Sequence, residues 1–307
     1  MKFLTFAFVF FLANTSLVSN AQEGEVNTDS IKNKWQDIAY ANISQAQKLD
    51  IYLPNGGNGP FPVIVLIHGG GYQYGDKRSW IAMIPANEGI KRSYAIVSIN
   101  YRLVGEAKAP QIINDAKAAI RWLRANATKY NLKGDKMAVW GPSAGGHLSA
   151  LVGTSGDVKE LEGLSLGNES ESSRVQAVVD WFGPINFLTV DSQFSSLGLK
   201  GRQQNRPESE SSQVIGKNIT DAPDEVKVFN PETYITKDDP PFFIQHGLKD
   251  TLVPYLQSTH FAEALSRVIG KDKVTLELVQ GGHGGDVFSD PKNLQKVFAF
   301  LDKYLKN

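Results

Sequence analysis

The sequence contains no cysteine, which excludes disulfides, thiolate catalysis and cysteine-based zinc sites outright. It carries no net charge: 32 Lys+Arg balance 32 Asp+Glu, and no lysine/arginine tract interrupts the mixture. Neither nucleic acid nor an anionic membrane surface is therefore an expected partner. Long apolar runs are also scarce. The most apolar stretch, Phe3 to Leu12, offers roughly ten strongly apolar residues where a bilayer span needs roughly twenty, so stable membrane insertion is not expected. No internal repeat is visible.

Lys2 precedes that run, and polar residues follow it up to Ser19-Asn20-Ala21. This is the layout of a secretory signal peptide, with small residues at both positions that matter for cleavage. Residues 1–21 are read as the signal peptide and Gln22 onward as an exported chain, periplasmic or secreted. Lipid attachment at the cleavage point is excluded because no cysteine stands there. Asn42, Asn126, Asn168 and Asn218 head Asn-x-Ser/Thr triplets, which matter only in a glycosylating host.

What the chain does have is ordinary globular material, 41% hydrophobic and 21% charged residues, enough for a substantial core. Length alone suggests about two domains, but one α/β domain can run to 307 residues. Lys48 to Leu53 alternates apolar and polar residues, the period-two pattern of a half-buried strand, and Pro54 to Pro60 reads as a turn. Val63 to Ile67 is continuously apolar and rich in β-branched residues, the mark of a strand covered on both faces in a parallel sheet, and Tyr94 to Ile99 reads as another such strand. Pro110 to Tyr130 repeats apolar residues at helical spacing. Strands at Met137–Trp140, Val175–Phe182, Pro241–His246 and Val274–Val279 complete the series, with helices at about 255–269 and 291–305. Such alternation predicts a doubly wound, mainly parallel α/β sheet. The rhythm breaks from about 184 to 239, a stretch rich in Ser, Gln, Asn, Glu and Gly. It is read as a cap or loop insertion within a single domain spanning 22–307, with 156–173 as a shorter excursion.

Gly141-Pro-Ser143-Ala-Gly145 fits the G-x-S-x-G nucleophile elbow, a strained strand-to-helix turn that presents a serine hydroxyl. The bland alternative is an ordinary Gly/Ser turn, so the partners decide. A serine hydroxyl is a weak nucleophile until a neighbouring base takes its proton, and a carboxylate must hold that base in the right tautomer. Of five histidines, His68, His147, His246 and His260 each have a plausible structural place. His283 sits in Gly281-Gly-His-Gly-Gly285 after the last strand, on the rim that the carboxyl ends of parallel strands share. Asp250 lies just beyond the strand ending at His246, on that same rim. Asp238 and Asp239 precede this strand and would lie roughly 20 Å away on the opposite rim. Asp286 is a weaker alternative. Ser143, Asp250, His283 is also the chain order of the α/β-hydrolase triad. For the oxyanion, Ala144 supplies one backbone N–H and the run His68-Gly-Gly-Gly71 others. That run lacks G-x-G-x-x-G, and Gly141 to His147 lacks the Lys-Ser/Thr ending of a P-loop, so nucleotide binding is not expected.

His68-Gly-Gly-Gly-Tyr72, Asn100-Tyr-Arg-Leu103, Gly141-Pro-Ser-Ala-Gly-Gly-His147, Asp180-Trp-Phe-Gly-Pro184 and His246-Gly-Leu-Lys-Asp250 together resemble the α/β-hydrolase serine esterases. The resemblance is to the bacterial feruloyl/acetyl esterase branch (BD-FAE-like), allied to the hormone-sensitive-lipase-like carboxylesterases, and it runs from about Ile38 to the C-terminus. It implies the α/β-hydrolase fold, with Ser143, Asp250 and His283 as triad and Gly70, Gly71 and Ala144 as oxyanion donors. The turn before Asp250 departs from the family pattern, because Gly247-Leu-Lys lacks the usual acidic residue.

The expected activity is that of an exported serine carboxylester hydrolase working through an acyl-enzyme without metal or organic cofactor. A small ester or a polysaccharide-linked acetyl or feruloyl ester is the substrate class, the carbohydrate part resting on the resemblance. Tyr72, Trp181 and Phe182 are expected to line the substrate pocket, with Trp80 as a further candidate; core packing is the competing reading for aromatic residues at strand ends. A serine peptidase of the same fold and a catalytically dead, ligand-binding hydrolase scaffold are the two rivals. The motifs specify no oligomeric state.

Overall fold

The computed structural model describes residues 28–307; the expected signal peptide lies outside the described residues. Eight strands form one sheet: β1 (Lys34–Ala39), β2 (Lys48–Tyr52), β3 (Phe61–Ile67), β4 (Ala95–Ile99), β5 (Leu132–Pro142), β6 (Ala177–Trp181), β7 (Phe242–Gly247) and β8 (Val274–Val279). The spatial order is β1-β2-β4-β3-β5-β6-β7-β8. β1 and β2 pair antiparallel, β2 and β4 likewise, and every later neighbour pair is parallel. The carboxyl ends of β3, β5, β6, β7 and β8 therefore share one rim, where α/β sheets place their ligands.

Covering helices explain the apolar strand runs. Val63, Val65 and Ile67 of β3 face one core, packed by the helices Gln111–Ala125, Ala144–Thr154 and Leu256–Ile269. Ile64 and Leu66 face the other, packed by the helix Pro291–Leu305 through Val297, Phe298 and Leu301. A strand buried on both faces has no polar face to alternate with. The helix Gln111–Ala125 buries Ile112, Ala116, Ala119, Ile120 and Leu123 as its spacing predicts. It stops at Asn126, whose side chain bonds back to the Trp122 carbonyl.

Three differences from the sequence expectation have physical causes. β1 was not expected; it is mostly exposed, only half its residues are apolar, and a bulge between Trp35 and Ile38 breaks its alternation. β2 is buried at Asp50 as well as at its apolar residues, because Arg78 pairs with the Asp50 carboxylate at 2.7 Å. The segment between β6 and β7 is built of short helices, Val190–Ser196, Glu210–Ile215 and Pro223–Val228, together with the 3₁₀ turns Phe187–Thr189, Ile219–Asp221 and Pro231–Tyr234. Each is too short for a periodic signal, yet Phe187, Val214, Ile219, Val226 and Phe229 reach the main core. Gln257 ties the segment down: its Oε1 accepts the N–H groups of Ile185 and Asn186 at 2.8 and 2.7 Å. No helix among the described residues is long and apolar enough to cross a membrane.

Candidate active site

β5 delivers Ser143 to the rim through a turn that only two glycines permit. A Cβ on Gly141 would lie 2.4 Å from the Gly145 backbone, and one on Gly145 would lie 2.0 Å from the Ile67 carbonyl oxygen of β3. Both contacts are impossible, so the turn packs directly against the neighbouring strand. Ser143 takes φ 55° and ψ −123°, strained for a residue with a side chain. The Ser143 N–H bonds to the Trp181 carbonyl at 2.8 Å, which holds the strain in place. The helix Ala144–Thr154 then runs away from the hydroxyl.

β8 and β7 bring the partners. His283 Nε2 lies 2.8 Å from Ser143 Oγ, and His283 Nδ1 lies 2.7 Å from Asp250 Oδ2. Asp250 has a fully buried side chain, and its Oδ1 accepts the N–H groups of Leu252 and Val253 at 2.8 and 2.9 Å. These bonds stabilise the turn whose usual acidic residue is missing. Burial raises the Asp250 pKa, but hydrogen bonds from His246 and His283 outweigh it and hold the carboxyl well below the usual carboxylate range. His246 is the unforeseen member: its Nε2 stands 3.2 Å from Asp250 Oδ2 and 3.0 Å from the Val253 carbonyl. The four-residue spacing in His246-Gly-Leu-Lys-Asp250 is the sequence signal for it. Asp286 lies exposed at the start of a short helix.

The glycine run after β3 forms the adjoining wall. Among the described residues, no acceptor meets the N–H groups of Gly70, Gly71 or Ala144, and all three residues line the same cleft as Ser143 and His283. Gly70 takes φ 106°, and a Cβ there would lie 2.0 Å from the Tyr74 carbonyl oxygen. The Asn100-Tyr-Arg-Leu103 motif pins this loop from behind. Asn100 Oδ1 accepts the Lys77 N–H at 2.6 Å and its Nδ2 donates to Asp76 at 2.7 Å. Tyr101 stacks on His68 at 4.3 Å and donates to the His68 carbonyl at 3.0 Å. Farther out, Lys77 and Arg78 pair with Asp37 at 2.8 and 2.7 Å.

The cleft encloses about 230 Å³. Phe182 lines it, with its ring centroid 4.7 Å from that of His283; φ 45° at Phe182 breaks the strand's alternation there. Tyr72 also borders the cleft, but its ring is largely buried between the loop and the segment after β6, against His147 and Phe229. Trp181 corrects the sequence expectation: it stays in regular strand geometry and points into the other core, against Trp140 and Phe288 at 4.9 and 5.3 Å. Trp80 is partly exposed and lies outside the cleft lining.

The remaining histidines are structural in placement. His147 is buried with its Nε2 2.8 Å from the Phe229 carbonyl, so it fastens the segment after β6 to the elbow helix. Burial lowers its pKa to about 4. His68 is likewise lowered to about 4 by burial. His260 bonds the Gln193 side chain at 3.2 Å. Among the described residues no group of three or more His, Asp or Glu side chains is arranged to hold a metal ion.

Asp180 lies directly beneath the elbow and was not singled out by sequence reasoning, although it opens the Asp180-Trp-Phe-Gly-Pro184 motif. It is wholly buried, its Oδ1 accepts the Gly183 N–H at 2.9 Å, and its Oδ2 has no protein partner. Burial raises its pKa to about 6, against the lowering influence of that bond. The folded state thus binds this proton more tightly than the unfolded chain does. Stability linked to Asp180 is present below about pH 4 and is lost as pH rises toward 6, by about 3 kcal/mol at neutral pH on the usual conversion. Asp180→Asn, which keeps the acceptor for Gly183, should raise the thermal unfolding midpoint by several degrees at pH 8 and hardly at all at pH 4. An equal effect at both pH values would refute this assignment.

A parallel sheet with two antiparallel edge strands, a strained serine turn after β5, and a histidine and carboxylate on the loops after β8 and β7 define an α/β-hydrolase. Within that class the chain belongs to the BD-FAE family, whose model matches residues 49–265. Among curated proteins it is similar to LipM, a probable carboxylic ester hydrolase of Mycobacterium tuberculosis, with 30% identity over 86% of this chain and 59% of LipM. It is also similar to esterase LipC of the same organism, with 31% identity over 74% of this chain and 54% of LipC. The chain thus spans little more than half the length of these relatives. Among solved structures it matches a truncated carbohydrate esterase from gut microbiota at 32% identity and TM-score 0.83, covering 92% of this chain and 100% of that one. A bifunctional GH43-CE protein of Bacteroides eggerthii matches at 36% identity and TM-score 0.78, over 88% of this chain and 35% of that one.

Proposed function

We propose that this chain is an exported serine carboxylester hydrolase that cleaves short acyl or aromatic esters through an acyl-enzyme, with acetyl or feruloyl groups on carbohydrate as the substrate class. The observation that carries the reading is the unbroken chain from Asp250 through His283 to Ser143, with contacts of 2.7 and 2.8 Å, beside unpaired backbone amides. Ser143 Oγ attacks the ester carbonyl while His283 Nε2 takes its proton. The carbonyl oxygen gains a negative charge and moves toward the N–H groups of Gly70, Gly71 and Ala144, which need no reorganisation to receive it. Collapse of the tetrahedral intermediate expels the alcohol, and His283 returns the proton to it. A water, deprotonated by His283, then attacks acyl-Ser143; the acyl–Oγ bond breaks, His283 returns the proton to Ser143 Oγ, and the acid is released. Asp250 stays ionised throughout and stabilises the imidazolium.

The domain is proposed as one hydrolase unit whose 184–239 segment acts as a cap over the cleft. Lys2, the following apolar run and the small residues before Gln22 support export. The names of the two structural relatives and the modest cleft volume support a short acyl group on a carbohydrate. A panel of acetyl-xylan, methyl ferulate and p-nitrophenyl esters of increasing chain length tests the substrate class. Acetyl and feruloyl esters should be turned over best; butyrate and longer chains dominating the profile would end the carbohydrate reading.

A further inference from the structure

The proposed mechanism leaves unused a polar part of the cleft wall. Arg202, Gln204 and Glu210, from the segment after β6, line it together with Tyr74 of the glycine loop. The Arg202 guanidinium pairs with the Glu210 carboxylate, and the Arg202 N–H is anchored to the Thr251 carbonyl at 3.0 Å, one residue beyond Asp250. Glu210 overhangs the oxyanion loop, since a Cβ on Gly71 would lie 2.7 Å from the Glu210 Cγ. Gln204 is nearly buried; its Oε1 accepts the Ser211 N–H at 3.3 Å, while its Nε2 donates to no protein group among the described residues. Tyr74 is 68% exposed, the most open large hydrophobic residue described.

Each of these features is ordinary alone, and together they make a specific surface. An opposed Arg–Glu pair supplies strong donors and strong acceptors on one wall while leaving that wall without net charge. The free Gln204 amide adds another donor. An exposed tyrosine ring offers a flat apolar face with a polar tip. Neighbouring sugar hydroxyls both donate and accept, and the C–H face of a sugar ring is apolar, so a neutral sugar meets all of these groups at once. An acidic sugar does not: its carboxylate would have to draw Arg202 away from Glu210 and leave that glutamate uncompensated in the cleft.

We infer that Tyr74, Arg202, Gln204 and Glu210 form a subsite for a neutral sugar carrying the ester, with Glu210 accepting from its hydroxyls, Arg202 and Gln204 donating to them, and Tyr74 covering a C–H face. The inference rests on the esterase reading and adds to it the chemistry of the sugar that is bound. The test compares kcat/KM on an acetylated xylo-oligosaccharide with kcat/KM on p-nitrophenyl acetate, for wild type, Arg202→Met and Glu210→Gln. The ratio of the two values does not depend on how much of a preparation is correctly folded. It should fall by about tenfold or more in both variants, as expected for lost hydrogen bonds to charged partners; a smaller fall in either overturns the subsite. Wild type should also favour the neutral oligosaccharide over an acetylated oligogalacturonide by about tenfold or more, and a weaker preference overturns the neutral-sugar assignment. If wild type hydrolyses none of these esters, the esterase reading itself fails. Retained p-nitrophenyl acetate hydrolysis with an unmoved ratio removes only the subsite.

Discussion

Replacing Ser143 by alanine is expected to lower kcat on p-nitrophenyl acetate by at least about 10⁴-fold while leaving the fold intact. The size of the effect follows from what remains. The amides of Gly70, Gly71 and Ala144 could still polarise a bound ester, but no covalent intermediate can form, and a water must find its own place beside His283. The fold should survive because Ser143 Oγ has His283 Nε2 as its hydrogen-bond partner, and alanine carries the same Cβ into the same φ of 55°. Stability should therefore move by no more than about 1 kcal/mol, the usual net size of the one partly buried hydrogen bond that is lost. A fluorophosphonate probe supplies the second readout: it should label the wild-type protein and fail to label Ser143→Ala. Equal labelling, or wild-type turnover by the variant, would refute the assignment of Ser143 as nucleophile, whereas a wild-type protein that the probe does not label would restore the ligand-binding scaffold as the better reading.

Legibility in the sequence followed the length and regularity of each signal. β3, β4, β7 and the Met137–Trp140 part of β5 were readable because strands covered on both faces are written as largely apolar runs; the start of β5, Leu132 to Lys136, carries Lys, Gly and Asp and gave no such signal. Ser143, Asp250 and His283 could be named, though 140 positions separate the first from the last, because parallel strands put their carboxyl ends on one rim. The distances at the site, 2.7 and 2.8 Å, could not be read in advance. β1 was illegible because its polar residues and bulge mimic a loop. The segment after β6 hid its order for another reason: helices of six or seven residues hold too few turns for a period to emerge. Its fixing contacts, such as Gln257 with Ile185 and His147 with Phe229, are long-range and single. Trp181 and Phe182 show how local backbone decides such cases. They are adjacent, equally apolar and buried in the same core, yet only the one at φ 45° also borders the cleft. Nothing in the two letters distinguishes them.

The substitution Asp250→Asn should be nearly as damaging as loss of the nucleophile, with kcat reduced by about 10⁴-fold. Here the geometry makes the outcome unusually determinate. One side-chain oxygen of Asp250 accepts two backbone N–H groups, from Leu252 and Val253 at 2.8 and 2.9 Å. In the variant that position demands the amide oxygen, since an amide NH₂ cannot accept. The NH₂ is then forced to the other side, toward His283 Nδ1 at 2.7 Å and His246 Nε2 at 3.2 Å. Donation from the introduced amide to His283 Nδ1 requires that nitrogen to be unprotonated, which puts the ring proton on Nε2, facing Ser143. A histidine in that tautomer cannot take the serine proton. The same NH₂ confronts His246 Nε2, which loses the carboxylate as an acceptor and keeps the Val253 carbonyl at 3.0 Å. The expected kinetic signature is a collapse of kcat with KM within a few-fold of wild type, because the cleft walls and the oxyanion donors are untouched. Asp250→Glu would not rescue, since one more methylene displaces the carboxylate from both backbone donors. A kcat for Asp250→Asn within tenfold of wild type would show that Asp250 does not orient the base, and would return Asp286 to consideration as the acid.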